Sequence, residues 1–205
     1  MPGRPRRSSA GGGLSAGADH SDPDDAPADP ESVARLICLR LLTAAPRTRA
    51  QLADALKRRG VPADAAETVL GRFAEVGLID DAMFATAWVE SRHYGRGLGR
   101  RALAAELGQR GVARDDIEAA VGQLSAETER ATALALVERK IASTAGQPSQ
   151  ARVRKLVGML ARKGYPAGLA YSVVREALDR SGSDSADALD DEVLAFDDDE
   201  PAADH

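Results

Sequence analysis

The chain has 205 residues, with 27 Lys and Arg against 32 Asp and Glu, for a net charge of -5. No apolar run approaches the roughly 18 residues a membrane-spanning helix needs, and the first twenty residues lack the continuous apolar stretch of a secretory signal. A single cysteine, Cys38, rules out an internal disulfide framework and zinc-finger spacing, which fits a reducing cytoplasm.

Charge is unevenly spread. Residues 1–30 hold three Arg and five Asp, and residues 182–205 hold ten acids and no Lys or Arg. The intervening 151 residues therefore carry a surplus of seven positive charges. A basic body between acidic ends suits a polyanion or an acidic protein surface. Seven aromatic residues against 40 alanines favour helix over sheet.

In chain order, residues 1–30 are Gly, Ser, Pro, Ala and Asp with one Leu, too little apolar surface to offset ordering entropy, and read as a disordered extension. The helical period begins at Val33–Leu42. Thr48 and Gln51 form a capping box before Leu52. Asp80 and Asp81 stand ahead of Phe84, Ala85, Trp88 and Val89, which share one helix face. The carboxylates are read as helix caps. Ser125 and Ser149 are expected N-caps of later helices, and Leu134–Ile141 is a further apolar helix. Residues 182–205 read as a disordered acidic tail, with Leu189, Val193, Leu194 and Phe196 set among carboxylates.

A repeat organises the body. Leu56–Pro62 (LKRRGVP), Leu107–Ala113 (LGQRGVA) and Leu160–Pro166 (LARKGYP) each read Leu, two variable residues, a base, Gly, then Val or Tyr. A further leucine stands four residues before each: Leu52, Leu103 and Leu156. Two leucines four apart pack one helix face, the base opposes the negative dipole end, and glycine suits a left-handed C′ position. Pro62 and Pro166 suit the start of a following helix. The expected fold is all-α: three tandem three-helix repeats over residues 31–79, 80–124 and 125–181, stacked into an elongated, curved body.

Catalytic constellations are absent from this reading. His20, His93 and His205 have no triad or metal partners in sequence, and His93 is taken as a partly exposed residue at a helix end. Cys38 lies in LICLRLL and reads as a small core residue. The run from Gly95 to Arg101 has no following Lys-Ser/Thr and no preceding strand. It is no nucleotide-binding loop, but a flexible link, a basic loop that touches an anion, or both at once. Clustered bases mark candidate contacts with a partner or DNA: Arg58 and Arg59; Arg92, Arg96, Arg100, Arg101 and Arg110; Arg152, Arg154 and Lys155; Arg162 and Lys163.

The run Gly77-Leu78-Ile79-Asp80-Asp81, then Phe84-Ala85, Trp88-Val89, Ser91-Arg92, Gly99, Leu103, Glu106-Leu107, Arg110-Gly111-Val112 and Ile117, resembles the central signature of the RecX family. The resemblance spans the helical body and leaves both extensions outside. It departs mildly from the family pattern in having Arg110-Gly111-Val112 where K-G-I is common. Gly77, Asp80, Asp81, Phe84, Trp88, Leu103, Leu107 and Gly111 are its structural signature. It implies tandem three-helix repeats and a non-enzymatic regulator of the RecA recombinase. Such a regulator binds the nucleoprotein filament and inhibits ATP hydrolysis, strand exchange and repressor cleavage, so modulating DNA repair, recombination and the SOS response. No cofactor is implied, and a monomer is expected. The alternative is a helical DNA-binding module competing for single-stranded DNA. A further expectation is that the acidic tail folds back on the basic body.

Overall fold

The structure, a computed structural model, describes residues 29–182. Among the described residues there are nine α-helices and no strand. They are α1 (Pro30–Ala44), α2 (Arg49–Arg58), α3 (Ala63–Glu75), α4 (Asp81–Arg96), α5 (Arg100–Gly108), α6 (Arg114–Gly122), α7 (Ala126–Ile141), α8 (Ser149–Arg162) and α9 (Ala167–Arg180). A short 3-10 turn over Ala142–Thr144 follows α7. None of these helices is long and apolar enough to cross a membrane. Both expected disordered extensions lie almost wholly outside the described residues. At the N-terminal side the expectation overshoots by two residues, because Asp29 caps α1 and Pro30 is its first residue.

The helices pack in three consecutive groups, each around its own core. Ala34 and Cys38 of α1 meet Leu52 and Leu56 of α2, and Val69, Leu70 and Phe73 of α3. Ala85 and Val89 of α4 meet Leu103 and Leu107 of α5, and Ala120 of α6. Ala133, Leu136 and Val137 of α7 meet Val153, Leu156 and Leu160 of α8, and Val173, Val174 and Leu178 of α9. The paired leucines of the repeat are thus the central buried side chains of each second helix. Cys38 is fully buried, which pushes its thiol pKa up.

The glycine of each repeat closes the second helix in the same way. Gly60, Gly111 and Gly164 have φ of 75°, 75° and 85°. The amide of the following residue reaches back over five positions: Val61 to Leu56, Val112 to Leu107 and Tyr165 to Leu160, at 3.2, 3.3 and 3.1 Å. This is a Schellman closure, and only glycine enters the left-handed region without a Cβ penalty. The repeated base covers the same end in two units. Arg59 donates to the carbonyl of Ala55 at 3.2 Å, and Arg110 to that of Glu106 at 3.0 Å.

Capping follows the sequence with two shifts. Thr48 and Gln51 form the capping box, and Asp80 and Ser125 accept from Met83 and Thr128. Ser149 is the first residue of α8, and the N-cap is Pro148. Pro62 and Pro166 also occupy N-caps, one position before the first helical turn.

Candidate functional site

The second helices of successive units meet end to end. The Thr48 hydroxyl at the start of α2 donates to the carbonyl of Arg110 at the end of α5, at 2.6 Å. The Gly99 amide at the start of α5 donates to the carbonyl of Lys163 at the end of α8, at 2.8 Å. Thr48 and Gly99 hold the same repeat position, as do Arg110 and Lys163. Each junction sets the positive end of one helix dipole against the negative end of the next. The row α2–α5–α8 is therefore one continuous polar seam.

An acid from the following unit completes each junction. Asp81 accepts the backbone N–H of Arg49, and Glu129 accepts that of Arg100, both at 2.9 Å. Of the two carboxylates read as caps, only Asp80 caps its own helix; Asp81 caps the preceding unit. Burial, with Asp116 nearby, holds the Asp81 carboxyl above its ordinary range, against the pull of the Arg49 amide.

Close approach explains the glycines at these seams. A β-carbon on Gly164 would lie 2.6 Å from that of Ala102, and one on Gly111 would overlap that of Ala50. Gly60, in the first described unit, has nothing within 4 Å. The Gly95–Arg101 run is a tight seam and not a flexible link. α4 extends through Arg96, and only residues 97–99 connect it to α5. A β-carbon on Gly99 would come 2.8 Å from the carbonyl oxygen of Gly164, and one on Gly97 would come 2.9 Å from Leu136. Tyr165 donates its hydroxyl to the Gly97 carbonyl at 3.1 Å, and Lys163 donates to that of Arg96 at 2.6 Å.

His93 belongs to the same seam, and the expectation of partial exposure is wrong: its relative exposure is 0%. Nδ1 sits 2.9 Å from the Leu98 carbonyl and Nε2 2.8 Å from the Thr132 hydroxyl. A carbonyl only accepts, so Nδ1 carries a proton, and in the neutral ring Nε2 accepts from Thr132. The ring pins the α4–α5 turn to α7.

A second cluster lies on the flank of the middle unit. Phe84 and Trp88 stack at 5.7 Å between centroids, 17° apart. The guanidinium carbons of Arg92 and Arg110 stand 4.1 and 3.7 Å from the Trp88 ring centroid. Trp88 Nε1 donates to Glu106 at 2.9 Å, and Arg92 and Arg96 pair with the same carboxylate at 3.8 and 4.0 Å. Trp88 is half-buried beside the core, not inside it. Among the described residues no group of three or more His, Cys, Asp or Glu side chains is placed to hold a metal ion.

Comparison with known proteins agrees with this architecture unit by unit. Models described as the first, second and third three-helix domains of RecX match residues 34–73, 80–121 and 127–174. The chain belongs to the RecX family. Regulatory protein RecX of Thermobifida fusca is 63% identical over 157 residues, covering 77% of this chain and 85% of the relative. Regulatory protein RecX of Streptomyces lividans is 55% identical over 177 residues, covering 86% and 94%. The crystal structure of RecX from Lactobacillus salivarius superimposes with a TM-score of 0.69 at 18% identity, over 74% of this chain and 98% of that one, a likeness of fold.

The RecX signature residues have separate physical tasks. Gly77, at φ 73°, ends α3, and Ile79 is buried in the first core. Asp80 caps α4, Asp81 caps Arg49, and Leu103 and Leu107 fill the middle core. Gly111 admits Ala50. Phe84 and Trp88 form the flanking stack.

The structure sorts the twelve candidate contact bases. Arg59, Arg92, Arg96, Arg110 and Lys163 have the partners given above. Arg100 donates to the Leu124 carbonyl and pairs with Glu129 at 3.5 Å. Arg152 is buried, with Nε 3.4 Å from the Thr144 hydroxyl. Arg58, Arg101, Arg154, Lys155 and Arg162 are exposed and make no hydrogen bond or ion pair to a described residue. All five stand on α2, α5 or α8. Sequence reasoning missed Glu129, Tyr165 and His93 as seam residues. For His93 a signal was present, since Ala85, Val89 and His93 follow at four-residue steps on one face.

Proposed function

We propose that this chain is a non-enzymatic regulator that binds the RecA nucleoprotein filament and inhibits its ATPase, strand-exchange and coprotease activities, and so acts in DNA repair, recombination and the SOS response. Membership of the RecX family supports the regulatory part. The observation that carries the contact is the set of unpartnered bases along the end-to-end row α2–α5–α8. Arg58, Arg101, Arg154, Lys155 and Arg162 are distributed over all three units, so a long polyanionic or acidic track meets successive charges. Many modest contacts on one rigid body add to a useful affinity without a deep pocket. The reading places the protein in the cytoplasm and uses no cofactor.

The test is the single-stranded-DNA-dependent ATPase of RecA, titrated with this protein while DNA is in excess. Inhibition well below equimolar protein supports direct action on the filament. Inhibition only when the protein suffices to coat the DNA overturns that reading in favour of competition for the strand, which weakens steeply with salt. Reversing Arg58, Lys155 and Arg162 to Glu weakens inhibition by at least about tenfold, or about 1.4 kcal/mol, with helical content unchanged.

A further inference from the structure

A groove opens on the third unit where α5, α8 and α9 converge. Val157, Gly158 and Ala161 of α8 line it with Tyr165 and Tyr171, and its volume is about 460 Å³. Two of its lining residues, Arg101 and Arg154, carry full positive charges and make no hydrogen bond or ion pair to a described residue. An apolar trough lined by two guanidiniums that have no partner among the described residues suits a peptide that joins a block of acidic side chains to a block of apolar ones.

This chain carries such a peptide. Residues 189–196 read Leu-Asp-Asp-Glu-Val-Leu-Ala-Phe, and the whole segment from 183 to 205 has ten acids and no Lys or Arg. Reach is sufficient. Tyr171 lies eleven residues before Gly182 along α9 and the turn after it, about 17 Å at helical rise. Leu189 lies seven residues after Gly182, and seven extended residue steps span about 23–25 Å. A tether that short holds its peptide near the groove at roughly millimolar effective concentration.

We infer that residues 189–196 of the chain's own acidic tail dock in this groove, seating apolar side chains on α8 and pairing carboxylates with Arg101 and Arg154. The docked tail occupies two of the five unpartnered bases and so tunes access to the third unit. The inference concerns the free protein and stands whether or not RecA is the partner.

The test is backbone 15N relaxation on the full chain. In the unaltered protein the heteronuclear NOE of residues 189–196 approaches that of the helices. The double variant R101E/R154E lowers it to the level of the isolated peptide, and so does L194S/F196S, which alters no described residue. Amide shifts of α8 and α9 away from the groove stay in place in both. A tail as mobile in the unaltered chain as in the variants overturns the inference. Restraint that grows with protein concentration, with a doubled mass by light scattering, also overturns it and assigns the groove to the tail of a second copy.

Discussion

The carboxylate of Glu129 lies 2.9 Å from the backbone nitrogen of Arg100, 29 residues earlier, and the two residues belong to different three-helix units. Asp81 stands in the same relation to Arg49. The first turn of α5 has its own orphan donors, and Gly99 has no side chain to cap them. The acid that does so comes from the neighbouring unit, so a helix-capping requirement becomes an inter-unit tie. In tandem arrays stability is a sum of unit and interface contributions, and this interaction belongs to the second kind.

Glu129→Ala removes a charged acceptor from a part-buried amide and a partner from the Arg100 guanidinium. The expected loss is about 1.5–3 kcal/mol. Because the loss falls at an interface, the urea transition broadens or splits as the third unit uncouples from the second. Glu129→Gln keeps an acceptor and loses less. A single transition of unchanged midpoint in Glu129→Ala would show that the interface rests on its apolar contacts alone.

The repeated glycines provide an internal comparison. Gly60 and Gly164 share a left-handed φ, but a β-carbon meets nothing at Gly60 and collides with Ala102 at Gly164. Gly60→Ala therefore costs only the left-handed strain, about 1–2 kcal/mol. Gly164→Ala adds the overlap with the neighbouring unit, for about 2–5 kcal/mol in total. Denaturant midpoints of the two variants measure the difference; equal losses would contradict the end-to-end seam.

That comparison also marks how far the sequence could be read. Leu52, Leu56 and their counterparts declare their helices by spacing, and the glycines declare their φ, because both are local requirements. The seam is not local. Asp80 and Asp81 are adjacent and chemically alike, yet one serves its own helix and the other serves Arg49, 32 residues away. The basic clusters were legible as charge, but not which charges were spent internally. Arg100 and Arg110 turn inward on carbonyls, acids and a tryptophan, while Arg101 and Arg154 make no hydrogen bond or ion pair to a described residue.

His93 offers a third measurement. His93→Leu keeps a similar volume at this buried position but strands the Leu98 carbonyl and the Thr132 hydroxyl, which the ring joins. Each of these part-buried polar groups left without a partner costs up to about 1–3 kcal/mol. The expected outcome is a clear fall in melting temperature for His93→Leu. Adding Thr132→Val removes one stranded group and recovers part of the loss. A double variant no better than the single would separate His93 from Thr132 energetically.

Tyr165 gives the fold an alkaline limit. Burial, reinforced by the nearby Glu129 carboxylate, raises its phenol from 10.0 to about 12. The proton is thus held more tightly in the folded chain than in the unfolded one. Stability from this group is complete below pH 10 and declines as pH climbs toward about 12, by up to about 1.4 kcal/mol per pH unit. Tyr165→Phe abolishes that slope. At neutral pH it also gives up the hydrogen bond to the Gly97 carbonyl, about 1 kcal/mol. The two chains, compared by urea unfolding at pH 8, 10 and 11, should therefore converge in stability as pH rises. Parallel curves would mean that the phenol titrates alike in both states, and that the Tyr165 hydroxyl is less enclosed by the α4–α5 turn than its 3.1 Å contact with Gly97 indicates.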